Sequence, residues 1–399
     1  MEITRELTHH LERLVVEIGE RQAGSPAAHA AGAYIQQVFQ DAGLEVEEQR
    51  YDCPAWRPGE TWLAIDGRRL EAAANTFSPA CDVSGPTVAA CTLAELEAAE
   101  MTGRIGILYG DLTKATLAAK DWFLKSERDT RIVEVVEAKE PAALVTVQAR
   151  PGSRERLIED GALDIPSVTV DAQTGLALLQ ADAPRVHVHV ESERAPGWSA
   201  NVVGRRGSAN GPKVVLCAHY DTKVGTPGAT DNAAGTATLL ALTQVLARRA
   251  LTLGLECVAF SGHESLPLGD DEYVRRGEDQ FPQIVAAINF DAVGDALGAN
   301  SIAAFASGSR FPEAVAELTV RYPGTVWVKP WPESNHSTFA WRGVPSLALS
   351  RSVGGNITHQ CIDTIERVSV EKLAQAVALT VEIVASLQER SPAWTRPTE

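Results

Sequence analysis

The sequence predicts an α/β protein: a three-layer αβα sandwich around a mixed, mostly parallel sheet, with a smaller inserted domain. Three observations carry this. Several short apolar runs, among them Lys213 to Ala218, Leu255 to Ser261, Ala286 to Phe290 and Val344 to Ser350, lead directly into polar residues. Strands buried on both faces read this way, and they deliver polar side chains to one edge of a sheet. Amphipathic helical stretches occur before, between and after these runs. Between about 53 and 184 the character changes to short strand-like runs separated by charged segments. The main domain is therefore 1–52 with 185–399, and the insert is 53–184.

In chain order, residues 4–19 show helical periodicity through Leu7, Leu11, Leu14 and Val15. Gly19 and Arg21 begin a turn. Ser25 followed by Pro26 reads as an N-cap with proline at the first helical position, and Gly43 as the stop. Leu44 to Arg50 alternates apolar and charged residues, as a strand with one wet face does. Within the insert, Ile105 to Tyr109, Ala142 to Val147 and Ser167 to Val170 are strand-like. Val186 to Val190 alternates too, with His187 and His189 on one face; surface histidines are the first reading and metal binding the second. Ser369 caps a long amphipathic helix through Val384. The tail after Ser391 is expected to be loose.

The formal net charge of −16 argues against nucleic acid or an anionic membrane as partner. No run approaches the roughly 18 apolar residues of a membrane span. The first residues form a charged amphipathic pattern rather than a signal peptide, which predicts a cytoplasmic protein. Six cysteines include no close pair, so a disulfide framework is not expected.

The chemistry collects at strand ends. Lys213 to Ala218 ends in His219, Tyr220 and Asp221. A loop with Gly225, Pro227 and Gly228 follows, and Asp231 stands before the next helical stretch. Glu264, Asp291 and His359 follow three further runs. Imidazoles and carboxylates without thiolates point to zinc, with cobalt or manganese as alternatives. Five such residues exceed what one catalytic zinc uses and suit two ions sharing one carboxylate. Asp221, two residues after His219, is placed to accept the ring's other N–H.

These segments resemble a known family. HYD at 219–221, PGATDNAAG at 227–235, HE at 263–264, NFDAVG at 289–294, SNH at 334–336 and THQCIDT at 358–364 are similar to the co-catalytic di-zinc aminopeptidases of peptidase clan MH, which includes the glutaminyl cyclases. The resemblance covers about 1–52 and 186–399. It implies one ion held by His219, Asp231 and Asp291 and a second by Asp231, Glu264 and His359, with Asp231 bridging. It makes His336 a hydrogen-bonding partner of the reacting group. Asn335 stands where an Asp is more usual. His263 stands where the family carries a glutamate general base. A neutral imidazole can accept a proton, so His263 is expected to act as a weaker base. Within the insert, MTGRIGILYGD, AALVTV and DIPSVTV resemble a protease-associated domain.

The expected function is amide or peptide hydrolysis next to a free amino terminus. The substrate is a small peptide or amino-acid amide, and His336 or a metal steadies the oxyanion. Two rivals remain at this point: acyl transfer or cyclisation on the same fold, and a metal-binding protein without peptidase activity because of His263. Trp327, Trp331 and Trp341 are candidates to line a substrate pocket.

Overall fold

A computed structural model describes residues 2–397 except 118–119, 121–125, 151–152, 154, 183, 209–210, 266 and 353–357. The chain divides into two compact units, Met1–Cys53 with Trp198–Glu399, and Pro54–Gly197.

The first unit is built on a sheet whose strand order is Thr325–Trp327, Asn300–Phe305, Ser346–Arg351, Ile284–Phe290, Lys213–His219, Gly254–Phe260 and then the end of Arg185–Arg206. The central strands run parallel: Ser346–Arg351 beside Ile284–Phe290, that strand beside Lys213–His219, and Lys213–His219 beside Gly254–Phe260. Antiparallel pairings flank them, Asn300–Phe305 on Ser346–Arg351 and Arg185–Arg206 on Gly254–Phe260.

Alternation along Lys213–His219 shows how this sheet is covered. Val214, Leu216 and Ala218 enter one apolar core with the helices Glu2–Leu11, Pro26–Asp41, Ala234–Ala247 and Val370–Leu387. Val215 and Cys217 enter a separate core with Tyr273, Phe281, Phe339 and Val344. A strand whose odd and even residues are both buried needs cover on both faces. The arrangement is a mixed α/β sheet with surrounding helices, consistent with a three-layer sandwich.

Local signals account for the helix ends. Ser25 accepts a hydrogen bond from Ala28 N with Pro26 at the first position, and Ser369 accepts one from Lys372 N. The tail differs from the expectation of a loose end. Pro392–Thr395 is a short helix, and the buried Thr395 hydroxyl donates to the Val285 carbonyl at 2.6 Å. A buried hydroxyl with a strand carbonyl as partner anchors a terminus that its two prolines would leave loose.

In the second unit, the early part of Arg185–Arg206 pairs antiparallel with Cys81–Ala90. Cys81–Ala90, Ile105–Leu108, Ala143–Gln148 and Ser167–Asp171 then run parallel, and Ala73–Ala74 closes the edge antiparallel. Leu96, Ile132, Val136, Leu108 and Leu144 share its core. The unit ends at Gly197 rather than at residue 184 because the early part of Arg185–Arg206 is paired with Cys81–Ala90.

Candidate metal centre

Chain direction decides where the polar residues gather. Lys213–His219 is followed by Ala234–Ala247 and then by Gly254–Phe260 on one side, while Ile284–Phe290 lies on its other side. The order reverses there, and the crevice outside the carboxyl ends of such strands is where open α/β sheets bind ligands. His219 ends the first strand, His263 and Glu264 follow the second, and Asp291 follows the third.

Asp231 lies at the middle of these residues. It occupies a distorted turn, Ala229–Ala233, with Asp231 and Asn232 outside helical geometry and a cis peptide between them. The turn requires its glycines. Gly228 has φ +58°, and a Cβ on Gly235 would come within 2.4 Å of the Phe290 carbonyl. Asp363 fixes the turn from the far side: its Oδ1 accepts from Thr230 N at 2.9 Å and Thr230 Oγ1 at 2.7 Å, and its Oδ2 from Asp231 N at 3.1 Å.

The two oxygens of Asp231 face different histidines. His219 Nε2 is 3.2 Å from Oδ1, and His359 Nε2 is 3.2 Å from Oδ2. His219 Nε2 is also 3.7 Å from Asp291 Oδ1, and His359 Nε2 is 3.3 Å from Glu264 Oε2. His219, Asp231, Glu264 and Asp291 are all buried. His219 Nε2 and Glu264 Oε1 are buried atoms with no hydrogen-bond partner. Unpaired buried polar atoms are costly, and a cation between them removes the cost. Burial disfavours a charged His219, yet Asp221, Asp231 and Asp291 raise its pKa well above the ordinary value. The cluster calls for positive charge. Two non-glycine residues here, Ala292 (φ 55°) after Asp291 and His359 itself (φ 64°), adopt left-handed backbone, a strain found where geometry serves a site.

The five expected ligands are thus brought together, while the Gly-rich stretch leading to His359 falls partly at 353–357, outside the described residues. Asp221 lies behind His219: His219 Nδ1 is 3.3 Å from the Asp221 carbonyl oxygen and 3.6 Å from Oδ1. The Asp221 carboxylate also accepts from the backbone N–H groups of His263 and Glu264, at 3.3 and 3.0 Å. It holds the turn that aims both side chains.

His263 lies beside the cluster, its ring centroid 4.3 Å from that of His219. Ligand atoms of His219, His263 and Asp291 lie within 4.8 Å of one another, as do those of His219, Asp231 and Glu264. Asn335 Nδ2 reaches His263 Nδ1 only at 3.5 Å and both oxygens of the buried Asp270 at 3.0 Å. Its amide nitrogen thus stands between His263 and Asp270.

His336 is fully buried against Phe305 and Trp331. Its Nε2 lies 2.7 Å from the Trp331 carbonyl, which can only accept, so Nε2 carries the proton. Nδ1 is then an unpartnered acceptor. Burial pushes the His336 pKa down to about 4, which opposes a second proton. In this geometry the free nitrogen of His336 presents a lone pair to a bound group. Trp341 is 57% exposed, and Trp331 packs on His336.

Sequence reasoning passed over Arg21. Its side chain is completely buried and donates to five carbonyls: Tyr220, Leu14, Gly19, Pro227 and Gly228, at 2.6 to 3.1 Å. It ties the loop between His219 and Asp231 to the N-terminal segment. Ser334 was named only as part of a motif; its hydroxyl donates to Asp291 Oδ2 at 2.5 Å.

This is the fold of the M28-type zinc aminopeptidases with a candidate two-ion centre. Residues 201–384 match the model of peptidase family M28. The chain is 25% identical over 293 residues to aminopeptidase YwaD of Bacillus subtilis, covering 71% of this chain and 60% of that protein. It is 23% identical over 286 residues to the probable lipoprotein aminopeptidase LpqL of Mycobacterium tuberculosis, covering 68% and 55%. The chain thus spans 60% or less of the length of these two curated relatives. Among solved structures, BSAP, a zinc aminopeptidase from Bacillus subtilis, superposes with a TM-score of 0.80 at 21% identity over 98% of both chains. The aminopeptidase from Aneurinibacillus sp. strain AM-1 gives 0.74 at 22% identity, covering 99% of this chain and 95% of that one.

Proposed function

We propose that this chain is a member of the M28 family and a zinc-dependent, aminopeptidase-like hydrolase that cleaves an amide or peptide bond next to a free amino terminus. The observation that carries this is Asp231, with one oxygen 3.2 Å from His219 and the other 3.2 Å from His359. His219 and Asp291 would complete one zinc site, and Glu264 and His359 the other. Two zinc ions held there would polarise the scissile carbonyl and make water a nucleophile at neutral pH. His263 would take the proton from the attacking water and pass it to the leaving amine. Asp221 keeps His263 and Glu264 aimed through their backbone N–H groups, and Ser334 orients Asp291. The substrate's free amine would bind one of the metals or a nearby carboxylate. The substrate class is a small peptide or amino-acid amide.

The test is a panel of aminoacyl-p-nitroanilides against their N-acetylated counterparts, with metal counted in the same preparation. Two ions per chain and turnover confined to the free amines are expected. Two ions with no turnover across the panel would refute the hydrolase reading. A second reading has one specific support: His263 shares a ligand-sized cluster with His219 and Asp291. As a ligand it would not serve as base, and the protein would bind metal without peptidase activity.

The unit 54–197 is read as a domain inserted into the catalytic chain, of protease-associated type. Its own core and its short parallel strands support this. Replacing it by a short linker should leave two ions bound in a variant that folds; their loss would count against it. Cytoplasmic residence is part of the same proposal. Six free thiols are compatible with it, and cell fractionation tests it.

A further inference from the structure

The second unit carries its own set of side chains able to ligate a metal. His187, His189 and Glu191 alternate along Arg185–Arg206 and so project to one face. Asp82 is the register partner of His189 on the neighbouring strand. Glu60 lies on Glu45–Ile65, and its backbone N–H donates to Glu191 Oε2 at 3.1 Å. Ligand atoms of Glu60, His189 and Glu191 lie within 4.8 Å of one another.

The imidazole at the centre of this group is pre-positioned. Trp62 stacks on His189 at 4.9 Å with planes 12° apart, and meets His187 edge-on at 4.8 Å. His189 Nε2 faces Glu191 Oε1 at 3.8 Å, while Nδ1 is 3.6 Å from Asp82 Oδ2. Nδ1 is buried with no hydrogen-bond partner. A ring with one nitrogen toward Glu191 and the other toward Asp82 has the form of a metal-ligating histidine and the carboxylate that orients it.

We propose that Glu60, His189 and Glu191 bind a divalent transition-metal ion, zinc foremost, separate from the catalytic centre. His189 Nε2 and one oxygen from each glutamate are the ligands, and water completes the coordination. Asp82 stands on the Nδ1 side, where it would accept that N–H once an ion holds the ring. His187 also contacts Asp82 and is not a ligand. One cation opposes binding: Arg69 Nη1 is 3.5 Å from Glu60 Oε1, with its guanidinium 3.9 Å above Trp62. That pair is solvent-exposed and weak, so an incoming dication can displace the guanidinium from Glu60 while it stays on the tryptophan. The ion would tie Glu60 on one strand to His189 and Glu191 on the next.

The experiment uses the full chain, stripped with a chelator, dialysed against zinc and counted by mass spectrometry of the metal. The parent should hold three ions. Glu191→Gln, which keeps the side-chain shape, and His189→Ala should each hold two and keep aminoacyl turnover. His187→Ala should keep three. Asp231→Ala should lose the catalytic ions and retain this one, so failure here is distinguishable from failure of the proposed active centre. Cobalt loading gives an independent readout, since the third equivalent should add visible absorbance in the parent and not in Glu191→Gln. Two ions in the parent at saturating zinc, or a third that survives both Glu191→Gln and His189→Ala, would overturn the assignment.

Discussion

Two clusters in this chain use the same side chains and differ in burial. In the first unit, His219, Asp231, Glu264 and Asp291 are at most 8% exposed. In the second unit, Glu60 and Glu191 are exposed and His189 is half-buried. Removing a carboxylate from water costs several kcal/mol unless an opposite charge compensates. The exposed carboxylates of the other cluster carry little of that cost, so their burial does not demand an ion. The buried one has converging carboxylates that folding must compensate, and only a cation or a protonated imidazole does so. The same residue types are therefore a strong indication of metal in the first place and a weaker, geometric one in the second.

The largest test of this contrast is Asp231→Ala. Removing the bridging carboxylate should lose both catalytic ions and lower turnover by more than about 10⁴-fold, about 5 kcal/mol of transition-state stabilisation. His359→Ala should lose mainly one ion. Metal content of the two variants checks the asymmetry, and equal losses would show that Asp231 does not bridge.

The next effect concerns His263. As base, its replacement by alanine should cost about 10²–10⁴-fold in kcat with both ions retained, and His263→Glu should raise hydrolysis of simple aminoacyl substrates. As ligand, His263→Ala should release an ion. The metal count separates the two roles before any rate is measured.

A third prediction addresses what holds the buried cluster in place. Arg21→Leu removes donors from five carbonyls and takes away a guanidinium whose pKa burial pushes down to about 10 against the pull of Asp221 and Asp363. Breaking a buried charge network of this kind costs about 3–5 kcal/mol. Denaturant unfolding of Arg21→Leu should show that loss, while Arg69→Leu, at an exposed pair in the second unit, should change stability by under about 1 kcal/mol.

The five proposed ligands were legible in the sequence because His219, Glu264, Asp291 and His359 follow recognisable apolar runs and Asp231 stands before a helical stretch, and strand order brings such ends together. The partners of Arg21, Asp363 and Asp270 were not. Arg21 finds most of its partners about 200 residues away, Asp363 about 130 and Asp270 about 65. No local pattern encodes a hydrogen bond over that separation. His336 was legible as a residue and not as a chemical state, because its proton is placed by a single carbonyl, that of Trp331. The two long strands, Glu45–Ile65 and Arg185–Arg206, were seen only in part, since Pro54 and Gly59 in one and Pro196 and Gly197 in the other interrupt the alternation that marks a strand. The fold class survived these gaps because the buried parallel strands carry it.

The smallest effect isolates burial from charge. His10 is as buried as His219, at 2% exposed, but its ring nitrogen meets the Tyr34 hydroxyl at 2.6 Å rather than a carboxylate. Burial drives its pKa down to about 4, against a hydrogen bond with Gln244 and with help from the His9 charge. His219, buried among carboxylates, moves the other way. The folded His10 pKa lies below the unfolded value of 6.5, so between the two the unfolded chain binds more protons. Its contribution is complete above about pH 6.5 and is lost as pH falls towards 4. The full span is about 3 kcal/mol, and about 2 kcal/mol of it is gone by pH 5. His10→Gln removes the titration while keeping a hydrogen-bonding side chain of similar reach. Carboxylates that titrate in the same range act on parent and variant alike, so the difference between their unfolding free energies isolates His10. That difference should shift by about 2 kcal/mol against the parent between pH 7.5 and 5. If the two curves run parallel instead, His10 is already solvated when it charges, and burial alone does not set the behaviour of imidazoles in this unit.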